Sequence, residues 1–407
     1  MKRINGGITA ALGYVAAGVE ANIKYTNRKD MALIYSETPC VVAGVFTRNL
    51  VKAAPVLWDQ QIVEEQDYVH AILVNSGIAN ACTGADGYSY CQDSAKMLAM
   101  NLGVRTEHVL VASTGVIGMQ LPMDKISKGI PLLVKDKERS EAAGLQAAQA
   151  IMTTDTTSKE VAVQVEIDGT TVTIGGMCKG SGMIHPDMCT MLGFLTTDVS
   201  ISQGLLQEAL SEDVKDTFNM VSVDGDTSTN DTVLVLANGA AGNPKISSKN
   251  QAYATFVKAL NEVTTQLSKM IAGDGEGATA LFETTVIHAQ SKEQARMLSK
   301  SVICSNLTKA AIYGHDANWG RILCAMGYSG ATFHPDKMDL YFESKAGRIQ
   351  IYHDGVATTY SEEEATTILS EPEVRVVVDL RMGTETATAW GCDLTYDYVK
   401  INADYRS

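Results

Sequence analysis

A threonine between a tight loop and a strand has the most specific chemistry in this sequence. The loop 179–190 contains two glycines and a proline, and the apolar run Met191–Thr197 predicts a strand directly after it. If the peptide bond before Thr190 were cut, the new α-amine, with a reference pKa of about 7.7, could act as the base for the threonine's own hydroxyl. Left uncut, Thr190 would be an ordinary β-branched residue that starts a strand.

Other patterns that could carry catalysis or a ligand are incomplete. No HExxH is present, and the seven histidines lack metal-binding spacing. A nucleophile elbow fails because Lys179 stands where its first glycine should be. Asp224–Ser228 begins like a calcium loop, but Thr229 and Val235 replace the required Gly and Glu. Gly273–Gly277 follows a predicted helix and carries two carboxylates, which disfavours a phosphate site. The sequence therefore predicts no metal site.

The elements that would position these residues alternate between strands and helices without a long repeat. Predicted strands span 32–35, 41–46, 70–74, 109–112, 161–167, 170–174, 232–236, 279–289, 349–352 and 374–380. Predicted helices span 89–102, 135–152, 202–221, 250–272 and 292–313. Residues 398–403 alternate like one more strand. This mixture predicts an α/β or α+β protein with layered sheets and helices.

Composition excludes several classes of partner. The chain has 407 residues, of which 45% are hydrophobic and 20% are charged, and a net charge of −14. The length predicts two or three domains. The acidic balance argues against binding to nucleic acid or to an anionic membrane, and no apolar run is long enough for a membrane helix. The eight cysteines form no CxxC pair, which is typical of reduced cytoplasmic thiols. A small zwitterionic or cationic substrate remains compatible.

A series of short stretches along the chain matches one known family in residues and in order. The stretches are 45–47 with 53–56, 74–84, 113–118, 152–156, 179–194, 224–232, 273–277, 314–321 and 398–407. Together they resemble the ornithine acetyltransferase family, the glutamate N-acetyltransferases of arginine biosynthesis. The resemblance covers essentially the whole chain.

The resemblance implies a fold and a division of the chain. The expected class is α+β (mixed α/β), with layered β-sheets sandwiched by helices in an N-terminal-nucleophile-like, D-aminopeptidase/ornithine acetyltransferase-like fold. It implies self-cleavage between Cys189 and Thr190 into an α chain, 1–189, and a β chain, 190–407, which stay together as two of each. It also implies two lobes with the site between them, the second lobe spanning approximately 240–407.

The resemblance also implies a reaction. Thr190 would take the acetyl group from N-acetyl-L-ornithine and pass it to L-glutamate through one covalent intermediate. The Thr114 hydroxyl and the Gly115 N–H would stabilise the tetrahedral oxyanion. No cofactor is implied, and acetyl-coenzyme A stays open as a second acetyl donor.

Substrate recognition is implied for a further set of residues. Lys179 would bind a substrate carboxylate, and Glu276 would bind the amino end. The remaining implied pocket positions, beside Thr190 itself, are Thr156, Asn402 and Ser407. Thr153 and Thr154 stand beside Thr156 as alternatives.

The sequence departs from the family pattern at three positions. Cys189 stands where the family usually has Ala, Asp187 stands where Asn is expected, and Ser407 replaces a terminal Thr but keeps the hydroxyl. Cys189 is a rival nucleophile because thiolates are intrinsically reactive. After cleavage, however, it would end the α chain without an amine to activate it.

Two other functions remain open from the sequence. A self-cleaving amidase or aminopeptidase would use the same nucleophile but pass the acyl group to water. A non-catalytic amino-acid-binding protein would keep the substrate-binding residues but would not catalyse a reaction. The presence of Thr190, Thr114, Gly115, Lys179 and Glu276 together favours the acetyltransferase.

Overall fold

The computed structural model describes residues 1–185 and 191–403. The predicted residues Cys189, Thr190 and Ser407 lie outside the described residues. The described strands are β1 (Lys2–Ile4), β2 (Tyr14–Val19), β3 (Met31–Phe46), β4 (Val69–Asn75), β5 (Val109–Ser113), β6 (Lys159–Ile167), β7 (Thr170–Lys179), β8 (Leu192–Thr197), β9 (Val221–Ser222), β10 (Thr232–Ala237), β11 (Leu281–Ala289), β12 (Asp339–Ser344), β13 (Gly347–His353), β14 (Val356–Ala357), β15 (Glu373–Asp379) and β16 (Glu385–Cys392). The described α-helices are α1 (Ala54–Glu65), α2 (Gly84–Leu102), α3 (Met123–Asp136), α4 (Glu141–Ala150), α5 (Gln203–Asp213), α6 (Gln251–Gly273), α7 (Lys292–Cys304), α8 (Asn306–Tyr313), α9 (Trp319–Gly327), α10 (Glu362–Leu369) and α11 (Tyr396–Ala403).

The described chain divides into two compact units. The first contains Met1–Gly180, 191–218 and Thr227–Leu267, and the second contains Ser181–His185, Asn219–Asp226 and 268–403. The resemblance implies a second lobe that begins at approximately residue 240. In the structure, residues 240–267 belong to the first unit. The reason is that α6 packs on the first unit's sheet, where the Cys178 thiol faces the Leu267 carbonyl at 3.9 Å. Division into an α and a β chain stays a prediction.

The first unit is built on a nine-stranded mixed sheet. Its order is β1-β6-β7-β8-β10-β3-β4-β5, with β2 also paired to β3. The long strand β3 joins the two parts of this sheet. Its first half, Met31–Ser36, pairs with β2 and β4, and its second half, Val41–Phe46, pairs with β10. The pairs β4–β5 and β8–β10 are parallel, so the loops that follow β4 and β5 leave the sheet at the same end.

The middle of this sheet is covered on both faces. Every residue of β8 and β10 is buried, and their sequences are near-continuous apolar runs, as expected for strands between two layers. Helix α5 packs on β3, α1 and α2 pack on β5, and α3 and α4 pack on β2. The predicted α+β class is confirmed by this arrangement of helices on a mixed sheet.

Helix α1 supports β5, the last strand in the sheet order. The indole Nε1–H of Trp58 donates to the Val109 carbonyl at 3.0 Å, and Asp59 Oδ1 accepts the Val111 N–H at 2.8 Å. Complete burial raises the pKa of Asp59 well above its ordinary value, which favours the neutral acid. Two side chains of α1 thus bind backbone groups on the side of β5 where the described residues supply no further strand, and this fixes the strand that leads to Thr114.

The second unit contains a seven-stranded sheet with the order β14-β13-β12-β15-β11-β16-β9. Helix α7 packs on β11 and β16, and α10 packs on β12. The buried Glu283 of β11 accepts hydrogen bonds from Arg375 Nε of β15 at 2.8 Å and from Trp390 Nε1 of β16 at 3.1 Å. Burial opposes its charge, but Lys269 and Arg375 hold the pKa of Glu283 below its usual value. One carboxylate therefore ties three neighbouring strands.

The predicted helix 202–221 is too long, because α5 ends at Asp213 and a short 3₁₀ helix, Phe218–Met220, and β9 follow it. Two further predicted helices are wrong in extent because serines divide them. The predicted helix 135–152 is split between α3 and α4, and the Ser140 hydroxyl accepts the Ala143 N–H at 3.1 Å. The predicted helix 292–313 is split at Ser305, whose hydroxyl accepts the Thr308 N–H at 3.3 Å. In both cases a side-chain cap begins a new helix inside a continuous apolar periodicity.

The predicted C-terminal strand is also wrong, since residues 396–403 form α11. The Thr395 hydroxyl accepts the Tyr398 N–H at 3.4 Å and caps the helix. The alternation of apolar and polar residues in 398–403 does not reflect a buried and an exposed face, since the apolar Val399 and Ile401 are 66% and 36% exposed.

Glu160 on β6 gives the first unit a testable pH dependence. Burial and the nearby Glu141 raise the pKa of Glu160 to about 7, and its Oε1 has no hydrogen-bond partner among the described residues. Because the folded-state pKa is raised, the wild type should lose stability as the pH rises from about 4.5 to 7. We expect Glu160→Gln to reduce this loss by about 1–2 kcal/mol, measured by urea unfolding at pH 5 and pH 8.

The matched control is Glu166→Gln, on the same strand but exposed. It should keep the wild-type difference between the two pH values. Parallel pH profiles for wild type and Glu160→Gln would contradict the assignment.

Candidate active site

The loops that follow β4 and β5 lie against each other. The Thr114 N–H donates to the Asn75 carbonyl at 3.0 Å, and the Val116 N–H donates to the Gly77 carbonyl at 3.1 Å. Thr114 is only 9% exposed. Two of the motif stretches, 74–84 and 113–118, therefore form one loop pair held by backbone hydrogen bonds.

Gly115 occupies a position in this loop pair that accepts only glycine. Its φ is +129°, which side chains rarely adopt, and a Cβ built there would overlap the carbonyl group of Gly77. Both predicted oxyanion residues thus lie in a loop whose backbone is tightly constrained. Such preorganisation is what stabilisation of a developing oxyanion requires.

Buried side chains reinforce the same loops. The Ser113 hydroxyl donates to Asn75 Oδ1 at 2.6 Å, and Asn75 Nδ2 donates to the Ile78 carbonyl at 2.9 Å. Asn75 and Ser113 are almost completely buried. Their polar groups are therefore used to shape the backbone before Thr114.

Lys179, the last residue of β7, lies beside a buried ion pair. Asp155 Oδ1 accepts hydrogen bonds from Lys159 Nζ and from the Gly180 N–H, both at 2.8 Å. Burial alone would raise the pKa of Asp155, but the charges of Lys179 and Lys159 hold it well below its ordinary value. Because the backbone of Gly180 is bound to Asp155, the position of the preceding residue, Lys179, is fixed as well.

A second buried carboxyl group, Asp231, belongs to the same cluster. Asp231 also faces Lys179, but its complete burial raises its pKa well above the ordinary value and favours the neutral acid. Lys179 and Lys159 both favour the ionised form of Asp155.

Thr156 directly follows Asp155 in the turn before β6 and is exposed. Thr153, one of the two alternatives, donates its N–H to Asp155 Oδ2 at 3.0 Å. Thr114, Gly115, Thr156 and Lys179 all belong to the first unit.

The second unit brings Glu276 and Asn402 together. Glu276 is 6% exposed, and its Oε2 accepts a hydrogen bond from Asn402 Nδ2 at 2.7 Å. Its N–H donates to the Ser181 carbonyl at 3.0 Å, and a Cβ on Gly182 would overlap its carboxylate. The loop 181–184, the glycine-rich stretch 273–277 and α11 therefore meet at one carboxylate.

Asp224 links the same elements. It accepts the N–H groups of Met183 and Ile184 at 2.6 and 2.8 Å and the Tyr398 hydroxyl at 3.2 Å. Burial and the Asp224 charge raise the pKa of Tyr398 well above its ordinary value, so it stays a hydroxyl donor. The C-terminal helix is thereby docked on the loop 181–184.

One acidic group outside these sites could be considered for a metal. Among the described residues, Asp339, His353 and Asp354 lie close enough to share an ion. Arg381 already pairs with Asp339 and with Asp354, so the guanidinium supplies the cation there. No helix in the described part of the chain is both long and apolar enough to span a bilayer.

Comparison with known proteins identifies the family. The model of the ArgJ family matches residues 15–407. The chain is 51% identical over 403 residues to the arginine biosynthesis bifunctional protein ArgJ 1 of Clostridium acetobutylicum, covering 99% of this chain and 98% of that protein. It is also 51% identical to the ArgJ protein of Symbiobacterium thermophilum over 100% of both chains. The chain belongs to the ArgJ family. A solved ArgJ structure from Bacillus halodurans is 47% identical, with a TM-score of 0.49, and covers 52% of this chain and 97% of its own.

Membership of the ArgJ family confirms the predicted resemblance to the ornithine acetyltransferases. It likewise confirms the prediction of an enzyme of arginine biosynthesis, a transferase of acyl groups. The individual site residues stay predictions.

Sequence reasoning missed the residues that support the predicted ones. The supporting residues are Asn75, Asp155, Lys159, Asp224, Asn230, Asp231 and Tyr398. All except Lys159 lie inside the motif stretches that carried the family resemblance, so membership of those stretches was the available signal. Lys159 had a weaker signal, its four-residue spacing from Asp155.

Gly115 gives a test of the loop geometry. We expect Gly115→Ala to lower the free energy of unfolding by about 3 kcal/mol, because the new methyl group overlaps backbone atoms of Gly77. The matched control is Gly118→Ala, where φ is also positive, +82°, but nothing lies within 4 Å of the new Cβ. The control should lose only about 1 kcal/mol. Equal losses in urea titrations would contradict the close packing of the two loops.

Proposed function

We propose that this ArgJ-family protein transfers the acetyl group of N-acetyl-L-ornithine to L-glutamate, giving L-ornithine and N-acetyl-L-glutamate. The observation that carries the proposal is the match of residues 15–407 to the ArgJ family, a range that includes every predicted site residue. Within the first unit, the charge of Lys179 acts on the buried Asp155. Within the second unit, Asn402 donates a hydrogen bond to the Glu276 carboxylate. Relatives of this chain are named for arginine biosynthesis.

The covalent step is assigned to Thr190 after a cut between Cys189 and Thr190. The α-amine of Thr190 takes the proton of its hydroxyl as Oγ bonds to the acetyl carbon. The bond from that carbon to the ornithine nitrogen then breaks, and the nitrogen leaves as an amine with the transferred proton. In the second half-reaction the amine of glutamate attacks the acetyl ester, and the α-amine of Thr190 takes a proton from the attacking nitrogen. The bond from the acetyl carbon to Thr190 Oγ then breaks, and Oγ leaves with that proton.

The oxyanion of each tetrahedral intermediate is assigned to the Thr114 hydroxyl and the Gly115 N–H. What supports this assignment is the constrained, buried loop pair that holds both residues. Removing one such donor typically costs about 10²–10³ in kcat.

Lys179 is assigned to a substrate carboxylate and Glu276, with Asn402, to the amino end of the substrate. Thr156 and Ser407 are assigned to the remaining pocket. We further propose that the α chain, 1–189, and the β chain, 190–407, work in the cytoplasm as an assembly of two of each.

The acceptor decides between this reaction and an amidase. Purified protein is incubated with N-acetylornithine with and without glutamate, and N-acetylglutamate and acetate are quantified. We expect N-acetylglutamate only when glutamate is present, with little acetate in either case. Acetate released at the same rate with and without glutamate would favour hydrolysis instead. Because the relatives are called bifunctional, a third arm replaces the donor with acetyl-coenzyme A.

The nucleophile is tested by substitution at the cut site. Thr190→Ala should give a single uncut chain without transfer, because both the hydroxyl and the activating amine are lost. The control, Cys189→Ala, should be cut and active, with a β chain whose intact mass begins at Thr190. A fully cut and active Thr190→Ala protein, or an inactive but cut Cys189→Ala protein, would overturn the assignment.

A further inference from the structure

Asn230, two residues before β10, is a buried amide without a role in the reaction described above. It is 6% exposed. Its Nδ2 donates to the carbonyl oxygens of Ala79 at 2.6 Å and Ser113 at 2.8 Å, and its Oδ1 accepts the Thr229 hydroxyl at 2.7 Å. Both amide hydrogens are therefore used on acceptors that cannot donate, and this fixes the orientation of the side chain.

The two carbonyl groups belong to the loop pair that carries the oxyanion residues. Ser113 directly precedes Thr114. Ala79 lies in the opposite loop, and its N–H donates to the Val116 carbonyl at 3.0 Å. One amide thus holds the backbone on both sides of the Thr114–Gly115 turn.

The backbone that follows Asn230 is fixed to other strands. The Asp231 carbonyl accepts the Thr47 N–H at 2.9 Å, and the Thr232 N–H donates to the Met191 carbonyl at 2.9 Å. Thr232 also pairs with Leu192, the first residue of β8. In the sheet order, β8 and β5 are separated by β10, β3 and β4. The Asn230 side chain binds the end of β5 at Ser113, and the backbone two residues further on, at Thr232, binds Met191 just before β8. Asn230 therefore connects the end of β5 with the start of β8.

We propose that Asn230 is a positioning residue for acetyl transfer, holding the Thr114–Gly115 turn at a fixed place relative to the start of β8. The inference rests on the proposed function, in which the nucleophile directly precedes Met191 in the chain. Since an oxyanion donor acts on the transition state, a displaced turn should lower kcat more than it changes KM.

Asn243 offers a matched control for a merely structural role. It is 5% exposed, and its Nδ2 also donates to two carbonyl oxygens, those of Ser200 at 3.2 Å and Pro244 at 2.8 Å. It follows the opposite end of the β8–β10 pair, where Ala237 pairs with Thr197. That end is five residues along each strand, or roughly 17 Å, from the Thr232–Leu192 end.

The experiment compares Asn230→Asp with Asn243→Asp in the full-length protein. Each change keeps the shape of the side chain but removes both donors and turns a carboxylate towards carbonyl oxygens. Steady-state kinetics with N-acetylornithine and glutamate are expressed per cleaved chain, as measured by intact mass, and thermal unfolding is recorded for both. We expect both variants to lose stability. Only Asn230→Asp should lose kcat, by at least tenfold, with each KM changed by less than threefold.

Two results would overturn the inference: a kcat for Asn230→Asp within twofold of the wild type, or an equal loss in Asn243→Asp. If Asn230→Asp does not fold or is not cut, Thr229→Val replaces it, since this change removes only the hydroxyl that orients the amide. Thr229→Val should then lower kcat at least threefold, and an unchanged kcat would reject the inference. Absence of transfer in the wild type itself would instead reject the proposed function.

Discussion

A buried carboxylate that must be paired, Asp155, organises the cation site of the first unit. Removing one partner of such a buried pair typically costs about 3–5 kcal/mol, because the other charge is left without compensation. Its hydrogen bonds to Lys159 Nζ and to the Gly180 N–H therefore hold together the turn before β6 and the end of β7. Lys179 is fixed as a consequence of its place next to Gly180. The buried Asp155 carboxylate thus fixes the position of Lys179 and pairs with the charge of Lys159.

The oxyanion turn depends on a different constraint, the close approach of two backbones. Gly77 and Gly115 both have positive φ, and the space that a side chain of Gly115 would need is filled by Gly77. The strand that leads into the turn has no neighbour on its outer side within the sheet order, and α1 supplies the missing partners through Trp58 and Asp59. The buried amide of Asn230 adds the only described side-chain connection from Ser113 to the residues just before β10. The turn is therefore fixed from its strand, from the opposite loop and from β10.

Sequence patterns predicted the family and most central strands because these depend on local residue types. The runs in β8 and β10 are apolar throughout, and the Asp168–Gly169 turn marks the β6–β7 hairpin, which pairs Ile167 with Thr170. Patterns failed where a single hydroxyl decides the structure, as at Ser140 and Ser305, and where an apolar residue is exposed, as at Val399. They also could not find the partners in the sites, since Asn230 and Ser113 are 117 residues apart and meet only through the sheet.

The chain path explains why a cut between residues 189 and 190 is compatible with an intact fold. Ser181–His185 belong to the second unit and residues 191–218 to the first, so the described residues on the two sides of the proposed cut lie in different units. New termini usually fray unless they are tied down. Here the strand that follows is central: β8 pairs with β7 from Leu192 to Thr197 on one side and with β10 over the same residues on the other. Upstream, Asp224 binds the N–H groups of Met183 and Ile184. Both described flanks therefore keep their hydrogen bonds without a peptide bond between residues 189 and 190.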